Sequence, residues 1–71
     1  MQTRVYVLKD ITYKMYYSDH LSVGCFTENI IDATFFQNED FAKNRAEMVE
    51  HCIDIKTTIV PLTIIEEDKT E

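Results

Sequence analysis

The chain opens on two short runs in which β-branched and aromatic residues dominate, residues 3–9 (TRVYVLK) and 11–17 (ITYKMYY), separated at Lys9-Asp10 by a brief polar step. Two such runs on either side of a short break predict a β-hairpin. A two-residue loop at Lys9-Asp10 sets Tyr6 opposite Tyr13 and Leu8 opposite Ile11, with Val5, Val7, Thr12, Lys14 and Tyr16 on the other face. A three-residue loop instead groups Val5, Val7, Tyr13 and Met15 and exposes Arg4, Tyr6, Lys14 and Tyr16. No Asn-Gly or Asp-Gly dipeptide selects the turn type, so both registers stay open.

From residue 18 to 29 the pattern gives way to Ser, Asp, His, Gly and Asn, a loop with the only glycine, Gly24, at a turn. Residues 30–36 (IIDATFF) then read as a short strand beginning near Ala33, with Phe35 and Phe36 on opposite faces and one of the two rings in the core. Asn38 is a good helix N-cap, followed by Glu39 and Asp40 where the helix dipole favours negative charge. The expected helix covers residues 39–51. Its inward stripe is Phe41, Ala42, Arg45, Met48, Val49 and Cys52, and Lys43, Asn44, Glu47 and Glu50 point away.

Residues 53–60 alternate again, Ile53, Ile55, Thr57 and Ile59 against Asp54, Lys56, Thr58 and Val60. They predict a strand with one buried face, which residues 62–66 extend if the chain passes Pro61. Because proline donates no ladder hydrogen bond, Pro61 marks an edge, a bulge or a bend. The last residues, 67–71, read as a frayed acidic tail. The sum is an α+β fold: a small antiparallel sheet of three to five strands with one helix on one face, in the order ββ(β)αβ.

Length changes this picture little. A chain of 71 residues buries only about 60% of its unfolded surface, enough for one domain spanning 1–71. Charge changes it more. Thirteen Asp and Glu against seven Lys and Arg give −6, so the positive footprint that phosphate backbones require is missing, and direct nucleic-acid binding is not expected. No apolar run approaches the roughly 20 residues of a bilayer span, and the first residues lack a signal-peptide core, so the expectation is a cytoplasmic protein without membrane contact.

Catalytic and cofactor chemistry finds few candidates. His20 with Cys25 and His51 with Cys52 supply zinc-type ligands, but without the Cys-x2-Cys form, and neighbours at a helix end point about 100° apart. Cys25 with His51, or Cys52 with His20, has the residue types of a nucleophile pair but no identifiable third group. Glu28, Asp32, Glu39 and Asp40 read as solvated carboxylates, and one glycine excludes a Gly-rich phosphate loop. The expectation is a protein that is not an enzyme and uses no metal or cofactor.

Surfaces remain. Tyr6, Tyr13, Tyr16 and Tyr17 crowd one hairpin whose two faces both carry apolar groups, and tyrosine is enriched at interfaces. The carboxylate excess is a second surface, able to meet a basic groove where negative side chains stand in for phosphates. The partner-binding residues expected on these grounds are Tyr6, Lys14, Tyr16, Glu39, Asp40, Glu47 and Glu50.

The succession Val5-Tyr6-Val7-Leu8-Lys9, Tyr16-Tyr17-Ser18, Phe26-Thr27-Glu28-Asn29 through Asp32-Ala33, and Phe35-Phe36 with Phe41-Ala42 and Ala46-Glu47 resembles the small proteins encoded by temperate phages of Gram-positive bacteria. The resemblance implies a non-enzymatic binder in the host cytoplasm. Such a protein blocks a host defence or nucleic-acid-processing protein, such as a CRISPR effector, by occluding it. The alternative is a self-associating accessory protein, a homodimer joined through residues 53–65 or the hairpin edge.

Overall fold

A computed structural model describes residues 2–19 and 26–67. The elements run β1 (Gln2–Asp10), β2 (Tyr16–Tyr17), β3 (Phe26–Thr27), a 3₁₀ turn (Ile30–Asp32), α1 (Glu39–Ile53) and β4 (Thr57–Ile65). The four strands form one antiparallel sheet in the order β3-β2-β1-β4, with α1 packed on one face. This is the expected α+β architecture, with β-β-β-α-β order.

The longest pairing joins the two ends of the described chain. β1 and β4 match over nine residues each, from Gln2↔Ile65 to Asp10↔Thr57. Alternation along β1 sends Tyr6 and Leu8 toward the helix and Val5 and Val7 to the opposite face. Leu8, Tyr17, Ala42 and Val49 form the core cluster, with Tyr6, Phe26, Phe36, Ala46, Ile55 and Ile59 packed around it. Val5 and Val7 are buried on the far face of the sheet.

The hairpin exists, but its loop has four residues, so neither expected register holds. Lys9 faces Tyr16, Asp10 N–H donates to the Met15 carbonyl (2.7 Å), and Lys14 N–H donates to the Asp10 carbonyl (2.9 Å). Asp10 Oδ1 also accepts from Thr12 N–H at 2.9 Å, so the side chain starts the turn that the β-branched run conceals. Lys14 closes it with φ 59° in the left-handed region. As a result Tyr6 lies opposite Phe36 on one side and Pro61 on the other, and not opposite Tyr13.

The expected third strand near Ala33 is displaced to Phe26–Thr27. Residues 30–32 turn instead, because Asn29 and Ile30 carbonyls accept from Asp32 and Ala33 (3.0 and 3.1 Å) and Thr27 Oγ1 takes Asn29 N–H (3.2 Å). Phe36 forms an isolated bridge to β1, exchanging both hydrogen bonds with Tyr6 (2.9 and 2.8 Å). Phe36 packs on the core and Phe35 is exposed, which fits one ring inside and one outside. The expected turn at Gly24 lies outside the described residues.

Asn38 caps α1 as its sequence position predicts, with Oδ1 accepting from Phe41 N–H at 2.9 Å. The buried stripe is narrower than expected and rotated. Ala42 and Val49 are buried and Ala46 packs beside them, whereas Phe41 and Met48 are 61% and 55% exposed and Cys52 is exposed. The helix also runs two residues beyond His51, taking Ile53 from the expected strand. Asp54 then stops it at φ 59°, ψ 38°, its N–H on the Glu50 carbonyl, and β4 starts only at Thr57.

Pro61 sits in the middle of β4 without breaking it. Tyr6 spends its amide and carbonyl on Phe36, so Tyr6↔Pro61 is a pair without ladder bonds, and Pro61 turns its missing donor to the free edge. Of the expected acidic tail only Glu67 is among the described residues, and it is exposed.

Candidate functional site

Two regions of the surface combine exposed apolar side chains with a concave shape. The first is at the end where the β1–β2 turn meets the helix C-terminus. Ile11 and Tyr13 stand 61% and 75% exposed on the turn, and with Ile55 they line a cleft of about 450 Å³ bounded by Asp10, Asp54 and Lys56. Asp54 is also the wall of a shallower hollow of about 470 Å³ lined by Glu47, Glu50 and His51. An apolar floor and an acidic wall are thereby continuous.

The second region is a groove of about 320 Å³ along the helix flank, between Phe36, Phe41 and Met48, with Asn44 and Arg45 at its polar end. Arg45 is committed to structure. It donates to the Tyr17 hydroxyl (2.8 Å) and to Asp19 Oδ2 (3.3 Å), and its guanidinium lies 5.8 Å from the centre of the Tyr17 ring. The hydrogen bond to Tyr17 raises the Arg45 pKa; burial opposes the rise and Asp19 adds to it. Asp19 in turn takes the Thr34 hydroxyl proton (2.7 Å) and gives its N–H to the same oxygen (2.9 Å). Thr34 N–H closes the circuit on the Tyr17 carbonyl (2.9 Å).

The residues singled out from sequence do not form one site. Tyr6 is half-buried against the core, and Tyr16 is half-buried with Lys9 Nζ 5.5 Å from its ring centre. Lys14 is exposed on the turn. Glu39 and Asp40 are exposed at the helix N-terminus, whereas Glu47 and Glu50 are exposed toward its other end, about 12 Å away along the axis. Tyr17 is a core residue. The tyrosine that does face solvent is Tyr13, together with Ile11, and sequence reasoning missed this pair because it placed them in a strand. The Asp10-x-Thr12 spacing, a side chain positioned to accept from the N–H two residues on, was the signal available.

His20 and Cys25 lie outside the described residues, so the zinc and nucleophile pairings that use them do too. Among the described residues no group of three or more His, Cys, Asp and Glu is placed to hold a metal ion. Nor is any described helix long and apolar enough to cross a membrane. Comparison with protein-family models, with curated proteins and with solved structures gave no match.

Proposed function

We propose that this chain is a non-catalytic binding protein that acts by stoichiometric occlusion of a larger protein, in the manner of the small phage proteins it resembles. The partner in this reading is a host defence or nucleic-acid-processing protein with a basic surface. The observation that carries it is the end of the molecule where exposed Ile11 and Tyr13 adjoin Glu47, Glu50 and Asp54. Apolar anchors give residence time, and surrounding carboxylates of one sign speed encounter with a basic surface and set its salt dependence.

The test is affinity capture with the full-length tagged chain from Gram-positive bacterial lysate, followed by reconstitution with the recovered protein. A 1:1 complex whose formation removes the partner's activity in proportion to added chain supports occlusion. Recovery of nothing above a mock bait overturns it.

A second reading, self-association as an accessory protein, draws on β4. It is an edge strand of nine residues without a charge among them, TTIVPLTII. Light scattering separates the two, since self-association predicts a dimer in the absence of any partner.

A further inference from the structure

We infer that the cleft between the β1–β2 turn and the helix C-terminus is a docking site for a basic peptide segment, an Arg or Lys flanked by apolar residues, on the partner protein. The inference rests on the binding reading above and gives the partner's local chemistry.

Asp10 decides the sign. It lines the cleft, and its Oδ1 accepts from Thr12 N–H. A carboxylate on the wall of an apolar cleft favours a hydrogen-bond donor there, preferably a charged one. A guanidinium or ammonium entering the cleft supplies it, while the long stem of an Arg or Lys lies along Ile11, Tyr13 and Ile55.

The acidic wall extends the match. Glu47 and Glu50, three residues apart on α1, line one hollow with the left-handed cap Asp54. None of the three has an ion-pair partner among the described residues. Glu50 and Asp54 stand at the negative end of the helix dipole, where carboxylates are disfavoured, and Glu47 faces Glu50 from one turn earlier. Among the described residues lining the two hollows, Lys56 is the one Lys or Arg. Flanking basic residues of a bound segment meet these carboxylates with opposite charge.

The same charges exclude other occupants. Phosphate backbones and anionic lipid surfaces are repelled, and a second copy would bring the same carboxylates face to face. The floor is also preorganised: hydrogen bonds from Lys14 N–H to the Asp10 carbonyl and from Asp10 N–H to Met15 fix the turn that presents Ile11 and Tyr13, which lowers the ordering cost of binding.

The probe is a fluorescein-labelled peptide of about twelve residues built from Arg, Leu and Ser, titrated into the full-length chain by anisotropy and by amide NMR at about 0.15 M salt. Expected are saturable 1:1 binding and amide shifts confined to residues 10–13 and 47–56. Asp10→Asn, which keeps the Oδ1 acceptor, and the double variant Glu47→Gln/Glu50→Gln should each weaken binding about tenfold, as should replacing every Arg of the peptide by Gln. Ile11→Ser, a change at an exposed position, should also weaken it.

Absence of saturable binding, shifts centred elsewhere, or variants that bind like the original chain each overturn the inference. Should Asp10→Asn not fold, the exposed-site variants decide alone. If the peptide fails but a cellular partner forms a 1:1 complex, this site falls and the binding reading stands. If the peptide maps to the cleft and no partner is recovered, the site stands and that reading falls.

Discussion

At the scale of single residues, the chain carries two local departures from a lowest-energy arrangement and one well-satisfied charge, and each has a measurable consequence. Lys14 occupies the left-handed region, which costs a residue with a Cβ about 1–2 kcal/mol, whereas glycine pays only through its freer unfolded state. Lys14→Gly should therefore stabilise the protein by about 0.5–1 kcal/mol in chemical denaturation. Ser18 is wholly buried, and its hydroxyl has no hydrogen-bond partner among the described residues. Ser18→Ala removes an unmet polar group while leaving the backbone in place, so it should raise stability by about 1 kcal/mol; a loss of that size would show that the hydroxyl is satisfied. Arg45 is the opposite case, a half-buried cation with a neutral and a charged acceptor and a ring beside it. Arg45→Ala should cost about 1–2 kcal/mol, and Tyr17→Phe, which keeps the ring, about 1 kcal/mol. In a double-mutant cycle the two effects should not add. The Arg45 pKa is raised, so its stabilisation is complete below the ordinary Arg value and is lost only as pH climbs past the raised one. The Arg45→Ala penalty should thus hold level from about pH 6 to about pH 9 as far as Arg45 is concerned.

At the scale of elements, what was legible in the sequence was the part that local chemistry decides. Asn38 followed by Glu39 and Asp40 marks a helix start because the cap satisfies an orphan N–H within three residues, and the structure places that bond. The runs around Val7 and Ile59 read as strands because nine-residue pairing suits their β-branched content. The misread stretches are those where a turn is made by side chains that strand-like neighbours conceal. Asp10 turns a run of Ile11, Thr12 and Tyr13 into a loop; Asn29 and Thr27 do the same before Ile30. Helix length was hidden for a related reason: Ile53 and Ile55 alternate like a strand, and only the left-handed Asp54 shows that one closes a helix and the other follows it. Of the candidate surface, the helix carboxylates Glu47 and Glu50 were visible from their spacing, whereas Ile11 and Tyr13 depended on the loop. The narrow inward stripe carries its own prediction. Ala42 is fully buried where α1 meets the core, so a larger side chain has no room, and Ala42→Leu should cost about 1–3 kcal/mol by thermal denaturation despite leucine's good helix propensity.

At the scale of the whole molecule, the free edge of β4 sets how the protein meets other copies of itself. A nine-residue strand is about 30 Å long and the helix of fifteen residues about 22 Å, so the β1–β4 ribbon runs past the layer that covers it. Ile64 and Ile65 are exposed at that end, and no charged side chain lies between Thr57 and Ile65 to discourage a second strand. Alternation of the ladder aims the backbone of Ile59, Pro61 and Thr63 outward, so proline stands in the middle of the outward-facing groups and interrupts the donor row there. Pro61→Val supplies the missing N–H at a position where the ladder to β1 needs none, and valine suits a strand at least as well. Folding should survive, since no internal hydrogen bond depends on the change. Edge-to-edge pairing, however, gains an uninterrupted template. Light scattering coupled to size exclusion should show the variant moving to larger species as concentration rises, with the unsubstituted chain remaining smaller at the same concentration. If both elute alike, the carboxylates that give the chain its charge of −6, and not the proline, keep the edge apart. Raising the salt, which screens those charges, should then be enough to draw the unsubstituted chain together.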